Sequence, residues 1–350
     1  MAMPNKLREK LAQQFLEALN EGQLPWKACW QQRIPANGIT GKAYRGVNSF
    51  LLSIVAELEG YSDPRWCTFR QASEKGWHIQ KGAKGVPVEY WAYYDRLQKK
   101  LLTWSEANQL QADPIYAQQN LQLRSRTYTV FNARQIEGMP ELAKVPPANI
   151  DAIRQQRDTL LRNMDLKYRE GGGRAYYSPV EDRVTLPREQ DFFDIYSYTC
   201  TFLHECGHAT GHPTRLGRDL SGEPGSDSYA KEELRAEIAS AFAAQAIGLQ
   251  LTDEQLQNHM NLHKAYIQSW AENLKDAPEE LFRAIKDAEK ISDYLIEKGE
   301  FAMVHGQQLE KAELETASKE QTPSMEQEIA RTVHSSEKQQ RICRSHNGER

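Results

Sequence analysis

FLHECGHATGH, residues 202–212, contains the pattern His204-Glu205-x-x-His208. On a helix, positions four apart lie on one face about one turn from each other, so two imidazoles can converge there on a single metal ion. Zinc accepts neutral His nitrogen, prefers tetrahedral geometry and keeps one position open where it is catalytic. Glu205 neighbours the first imidazole and is placed to take a proton from an attacking water. A five-position motif with three fixed residues arises by chance in chains of this length, so its surroundings must supply a third ligand.

YAKEELRAEIASAF, residues 229–242, supplies one. Its composition predicts a helix, with Glu233 and Glu237 four apart on one face. Glu233 is assigned as the third ligand and Glu237 as the carboxylate that holds a ligand imidazole. Spacing alone leaves Glu232 and Glu237 open as alternative ligands, and an acidic solvated face is the bland reading of the same helix. His212 invites a three-His site, because Gly211 stands where the HExxHxxGxxH pattern has its glycine. That pattern needs the third His three residues after the glycine; His212 follows it by one, so a three-His site is rejected. DRVTLP, residues 182–187, reads as an edge strand able to pair with an extended peptide. Tyr176 and Tyr177 read as core aromatics, with donation to a developing oxyanion as the functional alternative.

The rest of the chain divides by composition. Residues 1–20 read as an amphipathic helix and Phe50–Leu58 as an apolar helix closed at Gly60. TFRQASEKG predicts a short helix capped by Thr68. VPVEYWAYY and SRTYTVFNARQI are rich in β-branched and aromatic residues and predict strands. Pro146–Pro147 marks a linker over 141–148. Beyond it come a helix over 149–164, two short strands turning at Val180–Asp182, an apolar periodic segment over Phe192–Thr210, a helix over 229–248, and two helices within 259–298. From residue 307 to 350 the chain is polar and patternless, the composition of a disordered tail.

Bulk properties exclude several classes. The hydrophobic fraction is 39% and the mean hydropathy -0.72, and no run approaches the roughly 20 apolar residues needed to cross a bilayer. The amino terminus lacks the apolar core and small-residue cleavage site of a signal peptide. Five cysteines, odd in number and without a CxxC, predict free thiols in a reducing cytoplasm. Residues 1–140 carry 18 Lys and Arg against 12 Asp and Glu, and the remaining 210 carry 26 against 36. A basic first part on an acidic second one makes nucleic acid a reasonable partner for the first.

Taken together, LPWKACW, GKAYRGVNSFLL, YSDPRWCTFRQASEKGWHIQKGAKGVPVEYW and TVFNARQIEG in the first part, with YYSPVEDRVTLP, HECGHATGHPTRLGRD, YAKEELRAEIASAF and AYIQSW in the second, resemble the ArdC-like antirestriction proteins of conjugative plasmids. These are related to the amino-terminal region of TraC-type primases. The resemblance covers roughly residues 5–300. It departs at Cys206, where a larger aliphatic residue is common, and in the extra tail. It implies an α+β chain: a small α+β single-stranded-DNA-binding domain over 1–140, a mainly helical zincin-like metallopeptidase domain with a short β-sheet over 149–306, and the tail over 307–350. It also implies protection of incoming DNA from host restriction.

Non-specific single-strand binding needs a basic groove for phosphates and aromatic faces for bases. Tyr44, Arg45, Asn48, Arg65, Trp66, Arg70, Lys81, Lys84 and Trp91 supply that chemistry in the first part, with Trp26, Trp77 and Trp91 individually more at home in a core. The expected cofactor is Zn2+, with Mn2+ also suited to the donor set. The expected partners are single-stranded DNA and an unidentified protein substrate, a restriction-system protein among the candidates, with no membrane. The competing reading is a non-catalytic binding or occlusion protein with a structural or vestigial metal site. An intact Glu205 favours the enzyme, because a structural site needs no general base. A two-metal nuclease is disfavoured by a mononuclear His–His–Glu set.

Overall fold

Apolar residues spaced a helical turn apart start the fold: Leu11, Phe15 and Leu19 form one buried stripe of α1 (Asn5–Asn20). The structure, a computed structural model, describes residues 5–22, 24, 26, 29, 33–142, 149–249 and 251–301. Most of the expected linker and the whole expected tail over 307–350 lie outside the described residues. After α1 come β1 (Ala36–Asn37), α2 (Gly46–Leu58), β2 (Arg65–Thr68), α3 (Phe69–Glu74), β3 (His78–Ile79), β4 (Val86–Asp95), β5 (Lys100–Leu101), α4 (Trp104–Gln111), α5 (Pro114–Asn120), β6 (Leu121–Asn132) and β7 (Ile136–Glu137). Thr68 and Gln71 form the capping box that starts α3, which satisfies two of the orphaned N–H groups of the first turn.

Five of these strands make a sheet in the order β1-β2-β6-β4-β5, with β1 and β2 parallel and the other pairs antiparallel. Strand alternation assigns its faces. Trp66, Val86, Val88 and Val130 enter the main core, while Cys67 on the opposite face joins Ala72 and Ile136 in a small second cluster. Beyond Val88 and Val130 the paired strands β4 and β6 continue as a ribbon, and residues 123–129 are exposed on both faces.

The second set of elements is α6 (Ile150–Asn163), β8 (Lys167–Glu170), β9 (Tyr176–Ser178), β10 (Arg183–Leu186), α7 (Ile195–Ala209), α8 (Asp227–Ala246), α9 (Asp253–Asp276) and α10 (Glu279–Gly299). The mixed α+β composition agrees with the expected class. A three-stranded sheet runs β8-β10-β9, β10 pairing parallel with β8 and antiparallel with β9. The DRVTLP strand is therefore the central strand, and the expectation of a free edge there is corrected. Both of its hydrogen-bonding sides are taken, and the edges of the sheet belong to β8 and β9.

One cluster of buried apolar side chains runs from Leu11 to Phe301. Trp26 is fully buried, stacked on Phe15 at 5.5 Å and edge-on to Trp270 of α9 at 5.2 Å. Gln245 of α8 donates to buried Ser53 of α2 at 3.1 Å. The two sets of elements thus share a core, with α8 at its centre. No described helix is long and apolar enough to cross a membrane.

The helices α7 and α8 approach closely because Gly207 faces Ala236, whose Cα would lie 3.5 Å from a Cβ added at Gly207. A methyl group there makes ordinary contact, whereas a branched side chain forces the helices apart. Gly207→Ala is expected to unfold near the wild-type urea midpoint and Gly207→Leu to lose about 1–3 kcal/mol; equal midpoints for the two variants would show that the helices do not bear on this contact.

Candidate metal centre

The sequence of α7 places His204, Glu205 and His208 on a helix that is buried along most of its length, started by Asp194, whose carboxylate accepts the Ser197 N–H at 2.7 Å. The facing helix α8 is largely alanine on its buried side, with Glu232, Glu233 and Glu237 the buried charges. Charged groups in such surroundings need partners, and each has one here.

Donor groups of His204, His208 and Glu233 form a triangle. The two Nε2 atoms are 3.2 Å apart, with His204 Nε2 3.4 Å from Glu233 Oε2 and His208 Nε2 3.4 Å from Glu233 Oε1. Tetrahedral zinc with bonds of about 2.0–2.1 Å separates its donors by about 3.3 Å, close to each of these separations. His204, His208 and Glu233 are the group of potential metal ligands found among the described residues.

Behind the triangle each imidazole is held by its own carboxylate. His204 Nδ1 lies 3.1 Å from Glu237 Oε2, and His208 Nδ1 lies 3.3 Å from Glu232 Oε1. With an ion bound, the Nδ1 proton would be shared with a carboxylate and each Nε2 would present its lone pair to the ion. Two such lone pairs and a carboxylate aimed at one point are the donor set a divalent cation satisfies. Glu232 is in turn gripped by Arg218, whose Nε and Nη2 donate to its two oxygens at 3.0 and 2.6 Å. The same guanidinium donates to Thr210 Oγ1 and the Gly207 carbonyl, tying the end of α7 to α8.

Electrostatics follow from burial and these bonds. Burial opposes charge on His208, but hydrogen bonds to Glu232 and Glu233 outweigh it and raise the imidazole to about 9; His204 is raised for the same reason by Glu233 and Glu237. Burial likewise opposes charge on Glu233, yet the two imidazoles hold its carboxyl below the usual range. Glu205 goes the other way. Burial raises it above an ordinary carboxyl, against the pull of His204 and His208, and its carboxylate accepts the backbone N–H of Tyr177. A carboxyl shifted toward neutrality suits a group that must first take and then give a proton.

A cleft of about 560 Å³ opens over the triangle, lined also by Glu205, Tyr176, Tyr177, Leu220 and Tyr229. Tyr176, on the edge strand β9, is 45% exposed and so is not a core aromatic. Tyr177 donates its hydroxyl to Asp182 at 2.8 Å, which Arg215 grips with two further hydrogen bonds. His212 lies past the end of α7 with Nδ1 2.8 Å from Thr214 Oγ1, outside the triangle.

The residues expected to hold DNA are placed more diversely. Trp66 is 0% exposed and edge-on to Tyr61, so it is removed from the stacking set: its faces are inside the core. Asn48 spends its amide on both backbone groups of Glu89, and Arg65 bonds Asp63 and the Pro140 carbonyl. Arg45 pairs with Glu289 and Asp293 of α10, and Tyr44 is half-buried against the core. Trp91 is half-buried with its indole N–H on Glu89. Arg70, Lys81 and Lys84 are exposed, Arg70 paired with Glu74 one turn on. The partnership of Arg218 with Glu232 was missed; an Arg ten residues past the second His carries no local pattern that a reader could use.

Comparison with known proteins agrees with this architecture. A family model described as the N-terminal domain of anti-restriction factor ArdC matches residues 5–131, and one described as zincin-like metallopeptidase matches residues 155–287. The crystal structures of the antirestriction ArdC protein from plasmid R388, metal-free and Mn(II)-bound, superpose with a TM-score of 0.63 at 30% identity, covering 84% of this chain and 97% and 98% of theirs. A DNA primase TraC of Escherichia coli is 37% identical over 296 residues, 82% of this chain, but the chain spans only 27% of that primase's length. An uncharacterized protein, y4eC, of Sinorhizobium fredii is 33% identical and is covered over 92% of its length. With its sequence motifs in order, its two family regions and its fold all matching, the chain belongs to the ArdC-like antirestriction family.

Proposed function

We propose that the chain is an antirestriction protein of a conjugative plasmid or mobile element that works in the bacterial cytoplasm, binds single-stranded DNA through residues 1–140, and hydrolyses a peptide bond at a zinc site within residues 149–306. The observation that carries the enzymatic part is the His204–His208–Glu233 triangle beside a buried Glu205 at the floor of an open cleft. His204, His208 and Glu233 are the residues that would hold the ion; Mn2+ fits the same nitrogen and oxygen donors. A bound divalent ion supplies Lewis acidity toward a substrate carbonyl and its attacking water.

The chain's own groups do the rest. Glu237 and Glu232 fix the tautomer and tilt of the two imidazoles, so that both Nε2 atoms face one point. The edge of β9 offers backbone groups along which an extended peptide can align by strand addition. Glu205 accepts the water proton on its carboxylate and delivers it to the departing amine nitrogen, which leaves Glu205 unchanged over the cycle. The protein substrate is then one with an exposed, extended segment.

Two measurements test this reading. In metal titrations followed by calorimetry, Glu232→Gln is expected to weaken zinc or manganese binding about 10–100-fold, the usual effect of removing a partner of a ligand His, and Glu233→Ala to abolish stoichiometric binding; unchanged affinity in both would place the ion elsewhere. Glu205→Gln is expected to keep metal and DNA binding, to slow peptide hydrolysis by roughly 10²–10⁴-fold, and to lose protection of incoming plasmid DNA in a restricting host at matched expression. Full protection by Glu205→Gln would instead favour occlusion of DNA, with the metal site structural.

A further inference from the structure

The ribbon of β4 and β6 carries side chains that its fold does not use. Past Val88 and Val130, one face continues with Tyr90 and Tyr94 on β4 and Tyr128, Arg126 and Arg124 on β6, since residues of equal parity share a face. Tyr90 and Tyr128 are 50% and 42% exposed, with ring centroids 6.1 Å apart in an edge-on pair. Arg126 stands directly opposite Tyr90 in the register, and Arg124 lies over the Tyr94 ring at 3.5 Å. No acidic residue occurs on this face of the two strands. Among the described residues Arg126 has no carboxylate within ion-pair distance, unlike Arg45, Arg65 and Arg70.

The opposite face is treated differently. Glu89 is buried there, Tyr93 meets Trp104 of α4 edge-on at 5.6 Å, and Tyr116 of α5 donates to Asp95 at 2.7 Å. Thus α4 and α5 brace one side of the ribbon and leave the tyrosine–arginine side open. Exposed ring faces beside guanidinium groups with no acid to neutralise them match the chemistry of a single strand: bases stack on the rings and phosphates meet the cations. Peptide partners would be served equally by acids or neutral groups on this face, and there are none of the former.

We infer that the tyrosine–arginine face of the β4–β6 ribbon, with Tyr90, Tyr128, Arg124 and Arg126 at its centre, is the surface that binds single-stranded DNA. The inference rests on reading residues 1–140 as a DNA-binding region, and it moves the contact from the buried Trp66 and the backbone-bonded Asn48 to side chains that reach solvent. Because these positions lie beyond the core, their loss leaves the fold intact.

The test uses full-length, metal-loaded protein titrated into a fluorescent oligothymidylate at several salt concentrations. Tyr90→Ala with Tyr128→Ala is expected to weaken binding at least about tenfold, while Tyr90→Phe with Tyr128→Phe keeps wild-type affinity because the ring faces remain. Arg126→Ala is expected to lower the slope of log K against log salt by about 0.7, the loss of one phosphate contact on a single strand. A merely structural role for the ribbon would not change that slope. If the wild type binds and all three variants bind as it does with the same slope, the surface lies elsewhere and the DNA-binding reading survives. If the wild type itself does not bind, that reading fails and this inference with it.

Discussion

The antiparallel contact between α7 and α8 is the constraint on which the rest of the structure depends. Its register can be read from the pairs across it: His204 meets Glu237, Gly207 meets Ala236, and His208 meets Glu232. As the number rises on one helix it falls on the other. In this register Glu233, which lies between Glu232 and Glu237 in the sequence, brings one oxygen within 3.4 Å of each Nε2. A small residue at the crossing is what permits carboxylates on short stems to reach imidazoles on the facing helix. Four buried carboxylates, Glu205, Glu232, Glu233 and Glu237, then gather in one place with Arg218 as the nearby guanidinium. Such a cluster is costly to bury without compensating cations and hydrogen bonds. The alanine-rich remainder of α8 supplies none of these, so the imidazoles and Arg218 are the groups that balance it.

The first part of the chain is bound to this helix pair through the core. Ser53 receives the Gln245 amide, Trp26 meets Trp270, and Arg45 reaches Glu289 and Asp293. Arg45 therefore serves the seam between the two sets of elements, while Asn48 ties α2 to β4 within the first set. Gly46 belongs to the same seam. It has a φ of +52°, and a Cβ there would come within 2.9 Å of the Glu289 carboxylate. A polar or cationic residue type does not announce whether its partner is a phosphate or an acid on another helix.

That ambiguity explains what the sequence disclosed and what it withheld. Helical periodicity made His204, His208 and the Glu233–Glu237 pair legible, because residues four apart must share a face. The separate role of Glu232 was not legible: adjacent residues on a helix differ by about 100° in direction, and only the packing of α7 shows that both directions are used. The central position of β10 was hidden for a similar reason. Its second neighbour is β8, KYRE, a short strand with no apolar alternation, joined in parallel by a crossover that leaves no local signal. Thr103 and Glu106 form a capping box at the start of α4, and the signal was present, but a weakly apolar helix beside a ribbon gives periodicity little to work on. Trp66 was misplaced as a stacking residue because aromatic type says nothing about which strand face meets the core.

Ion binding at the proposed site would be coupled to folding by this geometry. The proposed ligands come from two helices, and the contact between those helices also carries the central core, so free energy gained at the triangle would be free energy gained by the folded chain. The effect does not stop at α8. Gln245, two turns beyond Glu237 on the same helix, is hydrogen-bonded to α2, and α2 in turn holds β4 through Asn48 and the backbone of Glu89. Tyr90, next to that bond, begins the open face of the ribbon. A contiguous path of hydrogen bonds and packed helices therefore runs from the proposed metal ligands to the base of the ribbon. These bonds hold the two regions in relation, and a signal between them would need a second arrangement at one of them.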